Sequence, residues 1–416
     1  MPEPSKIWDV AVIGAGAAGL MSAITAKRRG AEVILLDGKS KIGAKILMSG
    51  GTRCNLTNQN VTEKDFESEH KNALRAVLKA FSSEHAVEFF QNLGIQAVLE
   101  EGGKYFPSTH SGRAVLEAFL KEVNRLGISL ETSRKVGSLE YQNGRFLICG
   151  EDFSYYSRAL VLTTGGLSFP ATGSDGAGYG MAKHFGHSLV PTTPSLTPLL
   201  TEDPDWKSLS GLSLPVSLSL WTDGKKKIAF EGPLLFTHFG FSGPSALNIS
   251  RHWIRLRNAD LFADFLPELS EERLRDKLLL QAGRHPGRRL KNILTEDLPE
   301  RFVEVFLAKQ KIPTALTLNQ LKRPDREGLL RRLFHFPLRP SGFKGYEKAE
   351  VTAGGIPLSE VDKNTMQSKF QPGLFFAGEI LDADGRIGGF NFQWAWSSGA
   401  LAGRAAADLI RTLDVK

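Results

Sequence analysis

Gly14, Gly16 and Gly19 stand at the spacing of a backbone turn that can wrap a pyrophosphate. Gly14 permits the tight turn. Gly16 brings the backbone against the phosphates, where a Cβ would collide. Gly19 lets the following helix pack on the strand before it. The N–H groups around Ala15 and the dipole of that helix face the negative charge. Asp37 lies 18 residues beyond Gly19, at the end of a second apolar run. Its carboxylate suits a ribose hydroxyl and disfavours a 2′-phosphate. More than three hundred residues later, Gly373-Leu-Phe-Phe-Ala-Gly378-Glu379 reads as a buried strand ending in Gly-Glu, with Glu379 placed to accept a ribityl or ribose hydroxyl. A chain that opens with the first motif and closes with the second is expected to bind FAD.

Other reactive side chains are few. Arg53 is a candidate to steer a phosphate or a carbonyl. Cys54 is either a thiol that supplies a proton near a flavin or a small buried residue. His238, beside a Gly-rich turn, is a candidate for a substrate cavity, although a lone histidine is more often structural. Gly388 and Gly389 open the last helix, and two consecutive glycines allow close approach to a ring. The helix's first N–H groups would then stabilise charge at a flavin edge. Trp394 and Trp396 read as packing. The nine histidines and two cysteines show no metal-ligand spacing, so no metal is expected.

The elements that must position these groups can be traced along the chain. Residues 10–13 and 33–36 are short apolar runs, as in strands buried on both faces. Residues 17–29 fit a helix capped by Gly30. Helical spacing recurs near Leu74–Phe81 and Val115–Val123. Asn143-Gly144 between apolar segments signals a hairpin. Residues 159–162 form another buried strand, running into Thr163-Thr164-Gly165-Gly166. Pro191, Pro194 and Pro198 mark a boundary, after which 212–220 alternates like a half-exposed strand. Residues 270–336 are helical and basic. Strand character returns near 349–355, which implies an insertion of roughly 190–347 inside a split domain. No second G-x-G-x-x-G follows a buried strand. The glycines of 173–180 belong with the FAD domain, so NADH or NADPH, if used as electron donor, must bind transiently.

The 416 residues are expected to form two or three domains. No apolar stretch is long enough to span a membrane. A strand near residue 7 leaves no room for a signal peptide, and two cysteines give no disulfide framework, so a reducing cytoplasm is expected. The formal charge is +7, and residues 284–348 carry 15 Lys plus Arg against 7 Asp plus Glu, a local balance of +8. Such a segment is either a solvated helical surface or a contact for a polyanion, of which RNA is the natural candidate.

Three motifs carry a family resemblance: Lys45-Ile-Leu-Met-Ser-Gly50-Gly51-Thr52-Arg53-Cys54-Asn55-Leu-Thr-Asn58, Leu235-Phe-Thr-His238-Phe-Gly-Phe-Ser-Gly243-Pro244, and Gly388-Gly389-Phe390-Asn391-Phe-Gln393-Trp394-Ala-Trp396-Ser-Ser-Gly399. Over nearly its whole length the chain resembles the BaiN/RdsA family of bacterial FAD flavoproteins. It departs at Thr52, where many relatives have a third glycine, and at Phe390, which replaces a common tyrosine. The resemblance implies an α/β FAD-binding Rossmann-like fold of the two-dinucleotide-binding-domain flavoprotein type. Residues 1–190 and 348–416 would form the split FAD-binding domain, 191–268 an inserted β-barrel and 269–347 a basic helical domain. It implies a cofactor shell of Gly14, Ala15, Gly16, Ala18, Gly19, Asp37, Gly38, Lys45, Gly51, Val136 (adenine), Thr164, Gly165, Gly166, Gly378, Glu379, Gly388, Gly389, Phe390 and Asn391. Arg53, Cys54, Asn55, His238 and Asn391 are then the catalytic candidates, with the 50–58 loop along the isoalloxazine.

The implied chemistry is reduction of an activated C=C bond. A uridine of 23S ribosomal RNA, reduced to dihydrouridine by hydride from flavin N5, is favoured by the basic segment. A bile-acid-like enone reductase, an amine oxidase, or a non-catalytic FAD-containing RNA-binding protein are the alternatives.

Overall fold

A computed structural model describes residues 6–256 and 258–414. The chain divides into two compact units, Met1–Pro194 with Glu350–Lys416, and Ser195–Ala349.

The first unit is organised by one sheet. Strands Ser129–Glu131, Val33–Leu36, Ile7–Ile13 and Ser154–Leu162 lie side by side in that order, all parallel. The last of these serves two neighbours. Its first half pairs antiparallel with Arg145–Gly150, which pairs in turn with Val136–Gln142. Its second half pairs in parallel with Leu374–Phe376, matching Leu160 to Leu374 and Leu162 to Phe376. Three strands therefore end on one edge, at Ile13, Leu162 and Phe376. The turn beginning at Gly14, the Thr163–Gly166 segment and Gly378-Glu379 all leave from that edge, where open α/β sheets bind their ligands. The Asn143-Gly144 turn is observed, with both residues at positive φ.

The fingerprint helix Ala17–Arg28 packs against the last helix, Phe390–Asp414. Small residues set the separation. A Cβ on Gly399 would stand 2.6 Å from the Ala18 carbonyl oxygen, and one on Gly403 2.2 Å from that of Ser22. Alanine at position 403 should gain about 1 kcal/mol in helix propensity. The clash with backbone should outweigh this, for a net loss of roughly 2 kcal/mol. Urea unfolding of Gly403→Ala checks the sign, and a stabilised variant would refute the close crossing.

The second unit carries a seven-stranded antiparallel sheet in the order Phe336–Leu338, Asp260–Asp264, Ser213–Thr222, Lys225–Thr237, Gly240–Ser242, Leu199–Leu200, Gly342–Phe343. The expected alternation is present, with Leu214, Val216, Leu218 and Leu220 buried. The two end strands do not pair with each other among the described residues. Only residues 339–341 separate them, so the sheet must curl until its edges lie within about 13 Å. It approaches a barrel through the chain and without a closing ladder. The helices Glu271–Arg284, Glu300–Lys309 and Arg323–Phe334 share the sheet's core, where Trp206 stacks on Phe236 and Phe302 at 5.7 and 6.2 Å.

Candidate active site

The fingerprint turn is built from both ends of the sheet edge. Gly14 N–H donates to the Leu36 carbonyl at 2.7 Å. The Thr163 hydroxyl lies 2.9 Å from the Ile13 carbonyl oxygen and 2.8 Å from that of Gly14. A Cβ on Gly19 would lie 1.8 Å from the Gly14 oxygen, so this glycine serves the fold. Gly16 differs. Its φ of −82° and ψ of −167° suit any residue, and a Cβ there would meet nothing within 4 Å. The protein gives no reason for glycine at this position, whereas a pyrophosphate lying on the turn does.

Asp37 accepts the Ala15 N–H at Oδ2 and the Lys39 N–H at Oδ1, both at 2.8 Å. Burial pushes its carboxyl up, only partly offset by those backbone bonds. A hydroxyl donor such as a ribose would relieve it. Gly38 packs beside Lys135, Val136 is buried at the start of its strand, and Ala18 is buried beneath Gly378. Thr164 Oγ1 and Asn55 Oδ1 are among the buried polar atoms for which no hydrogen-bond partner is seen in the described residues. Buried polar atoms are normally satisfied, so these, with the open space at Gly16, fit a polar cofactor along this edge. A Cβ on Gly178 would lie 1.9 Å from Thr164 Oγ1, which places the 173–180 glycines in the FAD unit as expected.

Glu379 is already engaged. Its carboxylate pairs with Lys45 Nζ, accepts from Ser168 Oγ at 2.6 Å and accepts the Thr352 N–H at 3.0 Å. Lys45 also reaches Ser168 Oγ at 2.7 Å, and the Thr352 hydroxyl accepts the Leu167 N–H at 2.7 Å. Lys45 and Glu379 thus meet as an ion pair that ties the Gly165-Gly166 segment to the returning strand Val351–Gly355. Any ribityl hydroxyl must share Glu379 with Lys45. Ser168 and Thr352 were not identified from sequence, because neither lies in a glycine pattern.

Several expected roles change. Cys54 is fully buried, and burial pushes its thiol up to about 12 against a weaker opposing bond from Ser49. Of the two readings open from sequence, the zero exposure fits the small buried residue rather than the proton-donating cysteine. Asn391 is spent on Gly385: its Oδ1 accepts the Gly385 N–H at 2.8 Å and its Nδ2 donates to the Gly385 carbonyl at 2.9 Å. It anchors the helix start and is no free catalytic group. Gly389 has a structural reason beyond ring access, since its Cβ would lie 2.6 Å from the Thr57 carbonyl and 2.8 Å from Asn55 Oδ1. Phe390 is buried edge-on to Phe66, and Trp394 and Trp396 are core, donating to the Gly378 and Leu56 carbonyls at 3.0 and 2.8 Å. Gln393 bridges Thr57, the Phe81 carbonyl and Ser397, a brace the sequence did not signal.

The loop bearing Arg53 is strained at Thr52, whose φ of +72° is a backbone that favours glycine. Gly51 beside it has open space on its Cβ side. Arg53 itself bonds Glu100 at 3.0 Å and lies 4.0 Å over the Phe106 ring. His238 lies in the second unit, exposed in the turn before Gly240–Ser242, against Phe239. Glu350 is a further group the sequence did not single out. Its carbonyl lies 3.4 Å from Ser168 Oγ, its side chain reaches water, no partner for its carboxylate is described, and surrounding protein pushes that carboxyl up.

Among the described residues no helix is long and apolar enough to cross a membrane, and no group of three His, Cys, Asp or Glu could hold a metal. The sequence profile of the HI0933-like protein Rossmann domain matches residues 8–405. The ribosomal RNA dihydrouridine synthase of Escherichia coli strain K12 is 33% identical over 97% of this chain and 98% of its own length. That of Haemophilus influenzae is 34% identical, covering 95% and 97%. The 3-dehydro-bile acid delta(4,6)-reductase of Clostridium scindens is 32% identical, covering 96% and 99%. The chain therefore belongs to the HI0933-like family, as the BaiN/RdsA resemblance implies, and is an FAD-dependent oxidoreductase.

Proposed function

We propose that the protein reduces a uridine of 23S ribosomal RNA to dihydrouridine. Identity alone does not separate this from bile-acid reduction, since the relatives of both kinds lie between 32% and 34%. The observation that carries the choice is charge: the excess of +7 suits a polyanion better than a carboxylated steroid. The C5=C6 bond of uracil is conjugated to the C4 carbonyl, and the base must leave its stack to be reached. Reduced FAD supplies the hydride to such a bond. The chain's own part is to bind, orient and protonate. Gly14–Gly19 and Asp37 would hold the dinucleotide, Asn55 would be available to the flavin's polar edge, and Lys45 and Glu379 would hold the middle of the cofactor. Glu350, whose backbone borders Ser168, is the candidate for the role first considered for Cys54: its carboxyl would hold the proton delivered to the carbon next to the carbonyl. NADH or NADPH, binding transiently, is the proposed electron donor, and the cytoplasm the proposed compartment.

The test is a map of dihydrouridine in ribosomal RNA from cells with and without the gene. One dihydrouridine should vanish and return with the wild type but not with Gly16→Val. An unchanged map sinks the rRNA reading and turns attention to small enones and amines. Restoration by Gly16→Val, shown to lack FAD, would instead favour a non-catalytic role.

A further inference from the structure

Part of the basic segment is occupied with its own fold. Arg288 pairs with Glu296 at 2.6 Å, Lys291 with Glu300 at 2.7 Å, and Lys309 with Asp203 and Asp205. Arg301 caps the Ser208 and Ser210 carbonyls. Such cations have little to offer a phosphate. A different cluster stands out in the same unit. Lys225, Lys226 and Lys227 are consecutive and exposed, and no carboxylate partner is described for any of them. They open the strand Lys225–Thr237, directly after the turn at Asp223-Gly224, and the register sets Lys226 opposite Trp221.

Trp221 is half-buried and belongs to a ring cluster. Phe262 and His335 stack face to face with centroids 3.9 Å apart at 10°, and Trp221 meets both edge-on at 6.2 and 5.2 Å. The register puts the cluster on the outer face of the sheet: Leu218, Leu220, Leu261 and Ala263 point into the core, and Phe262 lies opposite Ser219. Burial pushes His335 below its ordinary range, so at neutral pH it is an uncharged stacking ring. Asp260, opposite Trp221, is the acidic residue nearest in register, and Asp264 and Glu231 lie farther along the same face. Exposed cations at a strand end, with Lys226 directly opposite a half-open aromatic ring, are the combination that binds single-stranded nucleic acid, with phosphates on the lysines and bases on the rings.

We propose that the outer face of the inserted sheet, at its Trp221–Lys227 end, binds single-stranded RNA, with Lys225, Lys226 and Lys227 on the phosphates and Trp221, backed by Phe262 and His335, stacking a base. This rests on the rRNA reading and adds a second contact beside the helical segment. Three lysines on a protruding strand also discourage edge-to-edge pairing between molecules, and the experiment separates the two roles.

The FAD-loaded, full-length protein is titrated with a fluorescently labelled, unmodified 23S rRNA transcript over a range of salt. The triple variant Lys225→Gln/Lys226→Gln/Lys227→Gln should lower the slope of log affinity against log salt by roughly 2, at about 0.7 per lost single-strand phosphate. Trp221→Ala should weaken binding about 10-fold, the size of one lost stack, and Trp221→Phe should recover most of it. FAD content and circular dichroism of each variant report folding. If the wild type binds with a steep salt dependence and the triple variant keeps that slope, this surface is wrong while the rRNA reading stands. An unchanged slope accompanied by self-association in light scattering assigns the lysines to edge protection. A wild type with no salt-sensitive RNA binding removes both readings.

Discussion

Gly16→Val is expected to yield a folded protein without flavin. The backbone at Gly16 is extended, so valine adopts it without strain, and apart from its chain neighbours no protein atom lies within 4 Å of its Cβ. The added methyls enter only the space proposed for the pyrophosphate. A steric conflict of roughly 3 kcal/mol there weakens FAD binding about 100-fold, before any lost phosphate contacts. Gly19→Ala makes the contrast, because its Cβ would lie 1.8 Å from the Gly14 oxygen and the turn itself must give way. Three measurements check this: visible flavin absorbance after purification, circular dichroism, and the thermal midpoint with and without added FAD. Ligand at 100 times its Kd stabilises a protein by about 2.7 kcal/mol, so FAD should raise the wild-type midpoint clearly, while at the same concentration Gly16→Val should gain only about 0.4 kcal/mol. A yellow Gly16→Val protein with full FAD content would remove the cradle from the fingerprint turn.

The sequence made the cradle legible because its constraints are local. Glycine spacing, an apolar run and a terminal acid each report what the backbone at that point must do. The same locality explains the convergence of Gly14, Thr163 and Gly378, since each follows a short buried strand and such strands lie in one sheet. Partner choice was not legible. Lys45 and Glu379 are 334 residues apart, and only the order of strands brings them together. Gly389 could be read as yielding room to a ring, but it also yields room to the Thr57 backbone, and one residue type satisfies both demands. Cys54 shows the limit most directly. Its neighbours in the chain are polar, yet the fold seals it at zero exposure. Charge was legible only as a sum: the count over 284–348 was right, but that Arg288, Lys291 and Lys309 pair with carboxylates is something no local pattern could assign.

With Cys54 withdrawn, Glu350→Gln should slow the alkene-reducing half of the reaction roughly 100-fold, the ordinary contribution of a placed acid. Reduction of the bound cofactor by dithionite should be unchanged. Above the raised pKa of Glu350 the wild type loses its proton donor, so its rate should fall with rising pH, and the glutamine variant should lack that fall. A readout free of the reaction follows from linkage. Protein around Glu350 raises its pKa in the folded state, while the unfolded chain restores the ordinary value. The folded protein therefore binds this proton more tightly. The resulting stability is fully present below the unfolded value and is lost as pH rises through the folded one. Glutamine cannot ionise. The cofactor-free variant should thus track the wild type in acid and become the more stable of the two once pH passes the folded value. Urea midpoints on both sides of that value, with a carbon-13 titration of the Glu350 carboxyl, measure the effect directly. Parallel stability at every pH would show an ordinary surface carboxylate, and the proton would then have to come from water.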